Sequence, residues 1–199
     1  PLVIKEGETL GLSLTEREAV VVYSSLSSLF RGVFSLSRGV TGSFKQSFEL
    51  CGEMIDNSRN AVMSIEQAKK HIIYSAAFGL NCIYLYNEDT FEVEGEPYFG
   101  YMRGRYSAAE LKELCNYASE FGIELVPCIQ TLAHLNQMLR WHCYAPIKDI
   151  DDILLADEDA TYALIEKLVA AWRAVTPSKN INIGMDEAFM LGRGHHQDK

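Results

Sequence analysis

Asp186 and Glu187 stand side by side after the short alternating run 181–184. Apolar residues at alternate positions read as a strand, and Gly184 reads as its tight exit. Two carboxylates at a strand exit suit hydrolysis of a glycosidic bond. One protonates the leaving oxygen, and the other handles the positive charge left on the sugar. The dipeptide also fits a plainer use, with Asp186 capping a helix and Glu187 in its first turn. The elements that would position the pair must separate these two readings.

Residues 1–49 read as a preamble. Leu10, Leu12 and Leu14 alternate with small residues as in a strand, and the β-branched run 19–23 reads as a second one. Ser24 and Ser25 open a helix with Leu26, Leu29, Phe30, Val33 and Phe34 on one face, and Gly39, Gly42 and Ser43 break the chain after it. From residue 50 a unit repeats. Met54 and Ile55 form a short strand ending at Asp56. Ser64 and Gln67 make a capping box for a helix through Ala68, Ile72, Ser75 and Ala76 that Gly79 closes. The run 82–86 lacks clean alternation and reads as a strand buried on both faces. Ser107 and Glu110 cap the next helix, with Leu111, Leu114, Cys115, Ala118 and Phe121 on its core face and Gly122 at its end. The strand 123–126 follows, ending at Pro127. Asp157 or Asp159 caps a helix bearing Ile165, Leu168, Val169 and Trp172, and the strand at Ile181 comes last.

Four strands thus alternate with three helices, which predicts parallel strands joined by right-handed crossovers. In a β/α barrel the chemistry sits on the loops after the strands. Here those loops hold Asp56 and Arg59; Asn87, Glu88 and Asp89; Gln130, Thr131 and His134; and Asp186 with Glu187. That clustering favours an active site over a helix cap.

The bulk properties narrow the alternatives. A chain of 199 residues, nearly half apolar, can bury a real core. Its net charge of -9 argues against binding a nucleic-acid backbone. No apolar run has the length of a membrane span and no signal-peptide pattern opens the chain, although Pro1 implies a trimmed start. Five cysteines include no C-x-x-C pair. Four of them read as buried thiols, which predicts a reducing, cytoplasmic setting. No cysteine or histidine pair has zinc-ligand spacing, and His195 with His196 reads as part of a frayed tail, so no metal is expected.

With these residues in view, the chain resembles glycoside hydrolase family 20, the β-N-acetylhexosaminidases. Asp56-Asn57-Ser58-Arg59 looks like the family's Asp-x-Ser-Arg after the first barrel strand. The acidic group from Asn87 through Asp89 falls where the family has one after the second. The stretch from Pro127 to His134 looks like its Pro-to-Pro-Gly-His segment, and Gly184-Met185-Asp186-Glu187 like its Gly-x-Asp-Glu. The order matches from about residue 50 onward. The departures are Cys51 in place of a sugar-binding arginine, Asn87 in place of an aspartate, and Thr131-Leu132-Ala133 before His134.

The resemblance implies an α/β fold: the end of a small α/β domain over 1–49, then the first four units of a (β/α)8 TIM barrel over 50–199. A full barrel needs about 250 residues. The missing half would come from the same gene or another chain, including a second copy of this one. It also implies release of terminal β-linked N-acetylglucosamine or N-acetylgalactosamine with retention. The substrate's acetamide oxygen acts as nucleophile, without a cofactor. Glu187 would be the general acid and then base, its proton kept by burial and by the negative charge of Asp186. Asp186 would orient the acetamide, while His134 and Glu88 or Asp89 would support the pair. Arg59 would bind sugar hydroxyls or pair with Asp56. Tyr98, Phe99 and Tyr101 fit either a sugar platform or a packed loop. Two alternatives stand beside this one. The first is a non-catalytic sugar-binding module or inert half-barrel. The second is another retaining glycosidase, with a further carboxylate about 5 Å from Glu187.

Overall fold

Alternation in the second strand decides how the chain begins to fold. Leu10 and Leu12, two residues apart on one face of the strand, are buried, whereas Leu14 on the same face is exposed, so the core ends before the strand does. The computed structural model describes residues 1–198. A four-stranded sheet has the order β1-β3-β2-β4, from β1 (Leu2–Glu6), β2 (Leu10–Leu14), β3 (Ala19–Tyr23) and β4 (Gly42–Phe44). β1 runs parallel to β3, and the other pairings are antiparallel. The sequence pattern did not reveal β1, whose side chains are mostly exposed, and read β4 as a flexible break.

Helix α1 (Leu26–Ser37) packs differently from its apolar face. Its buried residues are Ser27, Gly32 and Leu36. Gly32 lets the helix lie close to the sheet, because a Cβ there would meet Leu10 and Val21 side chains at 2.9 Å. Of the expected face, Leu29 also packs against the cluster of Leu10, Leu12, Val21 and Leu36, and the two phenylalanines turn elsewhere. Phe30 meets Phe121 at 4.7 Å between ring centroids, and Phe34 meets Phe78 at 6.3 Å. The helix therefore has apolar neighbours on two sides, and the small residues serve the tighter one.

The repeating unit forms a second sheet of order β5-β6-β7: β5 (Gly52–Asp56), β6 (Cys82–Asn87) and β7 (Glu124–Ile129). Its backbone bonds advance in step, Asn81 N–H to the Cys51 carbonyl and Asn57 N–H to Tyr86, as parallel strands require. Helices α2 (Ile65–Phe78) and α3 (Ala108–Glu120) lie between these strands in sequence. Ser64 caps α2 by accepting from the Gln67 N–H, and left-handed Gly79 ends it. Ser107 and Glu110 form a reciprocal box before α3. β7 continues through Pro127 to Ile129, two residues further than its sequence suggested.

The fourth strand is the main correction. Residues 181–184 pair with β7 through one isolated parallel bridge, Cys128 with Asn182. The Ile129 N–H reaches the Asn182 carbonyl at 2.8 Å, the Asn182 N–H reaches Pro127 at 2.8 Å, and the Thr131 N–H reaches Gly184 at 3.2 Å. The segment lies where a fourth parallel strand would, without forming a full one.

Packing divides the chain into two units that interleave in sequence. One comprises 1–53, 64–83 and 114–125; the other comprises 54–63, 84–113 and 126 onward. The sequence boundary at 49/50 falls inside the first. The second unit has its own aromatic core, where Phe91 meets Phe99 at 5.0 Å and Trp172 at 5.7 Å. Its long loops are ordered by α4 (Asn136–Leu139) and a 3-10 turn at His142–Ile147. Helix α5 (Asp159–Arg173) has Glu158 at its N-cap with no side-chain capping bond, so neither Asp157 nor Asp159 caps it. Asp157 instead faces His196 Nδ1 at 3.0 Å. The Asp149 carboxylate accepts the N–H groups of Gly192 and His196, both at 2.9 Å, so the tail is tied down rather than frayed. Three cysteines are buried rather than four; Cys51 and Cys143 are exposed. Among the described residues no helix is long and apolar enough to cross a membrane.

Candidate active site

The site begins at Gly184. Its φ is +52°, and a Cβ would run into the Ile129 carbonyl, so only glycine lets the backbone pass this close to β7. Asp186 and Glu187 follow. Among the described residues the next regular element after them is a 3-10 turn at His195–Asp198, eight residues on, so Asp186 is not spent on capping a helix. Both side chains are open, Asp186 at 60% and Glu187 at 59% exposure. The burial expected around Glu187 is not supplied by the described residues.

His134 joins the pair. Its Nε2 lies 3.5 Å from Asp186 Oδ2 and 3.4 Å from Glu187 Oε2. That nitrogen is buried and makes no hydrogen bond of good geometry, so the contact with both carboxylates is electrostatic. His134 and Glu187 both have left-handed backbone, at φ +58° and +54°. Their ligand atoms and that of Asp186 lie within 4.8 Å of one another, a donor set of one imidazole and two carboxylates that could hold a divalent cation. Local spacing could not reveal that group, because 52 residues separate His134 from Asp186.

Behind Asp186 runs a hydrogen-bonded relay. Gln130 Nε2 donates to Asp186 Oδ1 at 3.3 Å and to the Tyr86 hydroxyl at 3.2 Å. The Tyr86 hydroxyl donates to Glu88 Oε1 at 3.1 Å and accepts from Arg59 Nη2 at 3.2 Å. Burial pulls the Asp186 carboxyl upward, but its backbone N–H, Gln130 and His134 outweigh it and hold the group below its ordinary value. Arg59 pairs with Asp56 at 3.4 Å, one of the two roles expected of it, and also reaches Glu88 at 3.6 Å.

Glu88 and Asp89 are buried, and burial raises both carboxyls above their ordinary range. Asp89 faces Arg103 Nε at 3.2 Å. Arg103 Nη2 lies 4.0 Å from Glu88 and donates to the Ser58 carbonyl at 2.6 Å. The structure thus brings Asp186, Glu187 and His134 into contact, links Glu88 and Arg59 through Tyr86 and Gln130, and gives Asp89 a separate partner. Gln130 had a signal, its place at a strand exit. Tyr86 inside a strand and Arg103 within a long loop had none.

A cavity of about 470 Å³ opens beside Asp186, lined in part by Asp56, Arg59, Tyr86, Gln130 and Gly184. A larger one, about 660 Å³, lies in the first unit and contains Cys51 but neither carboxylate. We place the chemistry at the smaller cavity, because cavity volume without reactive groups specifies no reaction.

The class of the fold follows from comparison with solved structures. The N-acetyl-β-hexosaminidase of Streptomyces plicatus, solved with Thio-NAglucal, superposes with a TM-score of 0.81 at 21% identity, over 94% of this chain and 47% of that one. The chitobiase of Flavobacterium johnsoniae gives 0.82 at 19% identity, over 98% and 35%. The fold is α/β and like that of glycoside hydrolase family 20. In sequence, the chain is similar to Hexosaminidase D of Homo sapiens, 27% identical over 122 residues, covering 59% of this chain and 25% of that protein. The Bos taurus protein of the same name is 26% identical over 122 residues, with 35% of it covered. The chain therefore spans a quarter to about a third of the length of these curated relatives, and no family model matches it. The curated relatives are hexosaminidases by name, and both comparisons support a resemblance of this chain to glycoside hydrolase family 20.

Proposed function

We propose that this chain carries the acid–base pair of a retaining β-N-acetylhexosaminidase acting on terminal β-linked N-acetylglucosamine or N-acetylgalactosamine. The observation that carries the proposal is the convergence of Asp186 and Glu187 on one histidine nitrogen, at the edge of a parallel sheet. Glu187 gives its proton to the leaving oxygen as the bond to the anomeric carbon breaks. The substrate's acetamide oxygen closes on that carbon, giving an oxazolinium ion. Glu187 then takes a proton from water, which opens the ring and restores the acetamide. Asp186 accepts the acetamide N–H and balances the positive charge; its lowered pKa keeps it ionised for that task. His134 sets the position of both carboxylates.

The exposure of the pair calls for a further wall around the sugar. We assign that wall to additional strands of the same barrel, in this protein or in a partner chain. The test uses the complete assembly and 4-nitrophenyl N-acetyl-β-glucosaminide. Nitrophenol release that disappears in Glu187→Gln supports the proposal. Undiminished release by that variant ends the acid assignment, and sugar binding without any turnover would favour a non-catalytic module.

A further inference from the structure

The aromatic residues of the loop after β6 fall into two kinds. Phe91 and Phe99 are fully buried in the second unit's core. Tyr98 and Tyr101, on either side of Phe99 and Gly100, stay 43% and 45% exposed. They meet Trp141, half-buried in the loop after β7. The centroid separations are 5.7 Å between the tyrosines and 5.4 Å from each tyrosine to the indole. The rings are tilted or edge to face, so none covers another's face completely. By contrast, Phe91, Phe99 and Trp172 of the same unit are fully buried.

The backbone around Tyr101 is firmly held. Gly100, Met102 and Gly104 all have left-handed φ, between +60° and +68°. Met102 adopts this conformation although its side chain is in solvent, a strain that persists only where neighbours fix the chain. Arg103 supplies that fixing through Asp89 and the Ser58 carbonyl, and Arg105 bonds the Pro97 and Phe99 carbonyls. The cluster shares its two loops with the proposed site: one also carries Glu88 and Asp89, the other Gln130 and His134. Arg140 lies over the Trp141 ring at 4.8 Å and adds hydrogen-bond donors beside the ring faces.

We infer that Tyr98, Tyr101 and Trp141 form a platform for a second pyranose of the same glycan. The C–H face of a pyranose is apolar and flat, as an aromatic face is, and its rim of hydroxyls suits the phenols and Arg140. The inference rests on the proposed hexosaminidase function and narrows its substrate to an oligosaccharide.

Tryptophan emission tests it. Trp172 is fully buried, and the part of an emission change that Trp141→Phe abolishes reports Trp141. The probe is the β-1,4-linked trisaccharide of N-acetylglucosamine, titrated into protein carrying Glu187→Gln so that it is not consumed. The expected result is a saturable shift, with affinity about tenfold above that of the monosaccharide and lost by about tenfold in Tyr101→Ala. The trisaccharide should also shield Trp141 from acrylamide quenching in the protein without a substitution in the loop. Absence of both the shift and the shielding, or a shift of unchanged affinity in folded Tyr101→Ala, overturns the platform. Turnover of the nitrophenyl glycoside without a Trp141 response rejects the platform and leaves the proposed activity. A Trp141 response in an assembly with no turnover does the opposite.

Discussion

The chain carries two pairs of adjacent carboxylates at strand exits, and they are treated in opposite ways. Glu88 and Asp89 are buried after β6, with Arg59, Tyr86, Ser58 and Arg103 around them. Asp186 and Glu187 stand in the open with one histidine and one amide for company. Burial makes a charge expensive unless it is paired, so the inner pair is surrounded by guanidinium groups and serves as framework. The outer pair keeps faces free for something else. Identical residue types thus take on different roles according to what surrounds them.

This contrast can be broken by experiment. The largest effect should come from Glu187→Gln, a loss of about 10²- to 10⁴-fold in kcat in the complete assembly, as expected for removing a general acid. Glu88→Gln should retain far more activity; equal losses from the two would erase the distinction. Next, Arg103→Ala leaves the Asp89 carboxylate without its cation and should cost about 3 kcal/mol in urea unfolding. His134→Ala, which removes the corresponding group from the outer pair, should cost about 1 kcal/mol or less. A reversed order would mean the outer pair is structural. Gly32→Ala, which adds a methyl at 2.9 Å from Leu10 and Val21, should destabilise by about 1–3 kcal/mol, measured in the same way, without touching either pair.

The smallest effect is one of pH. Glu88 and Asp89 have folded pKa values raised by burial, so the folded state binds their protons more tightly than the unfolded chain. Their contribution to stability therefore falls as pH rises from the ordinary carboxylate value through the raised one. Asp186 is lowered, so its contribution is present above its ordinary value and is lost as pH falls through the lowered one. Urea midpoints across the acidic range should shift in opposite directions for Asp89→Asn and Asp186→Asn. The same direction for both would contradict this assignment of environments.

What the sequence disclosed was mostly local. The cap at Ser64 and the box at Ser107 needed only neighbours three residues away, and both are present. The face of α1 was foreseen only in part, because a helix between two apolar surfaces can use glycine on one and phenylalanine on the other. The strand at 181–184 was overread: alternation announces an extended segment but not how far its ladder extends. At the site, Asp186, Glu187 and His134 were visible through the ordered motifs. Gln130, Tyr86 and Arg103 each have a partner more than 40 residues away: Asp186 for Gln130, Gln130 for Tyr86 and Ser58 for Arg103. No local pattern encodes such contacts.

The left-handed backbone at His134 and Glu187 has a consequence for how this protein can be altered. An L-residue there carries a penalty of about 1 kcal/mol or more that glycine escapes, although glycine loses a similar amount through its freer unfolded chain. Glycine at either position should therefore be nearly neutral for folding while deleting the imidazole or the carboxylate. Selection for thermal endurance alone would have little reason to keep these side chains. Their presence reads as a trade, in which local comfort is given up to aim two groups at a common point.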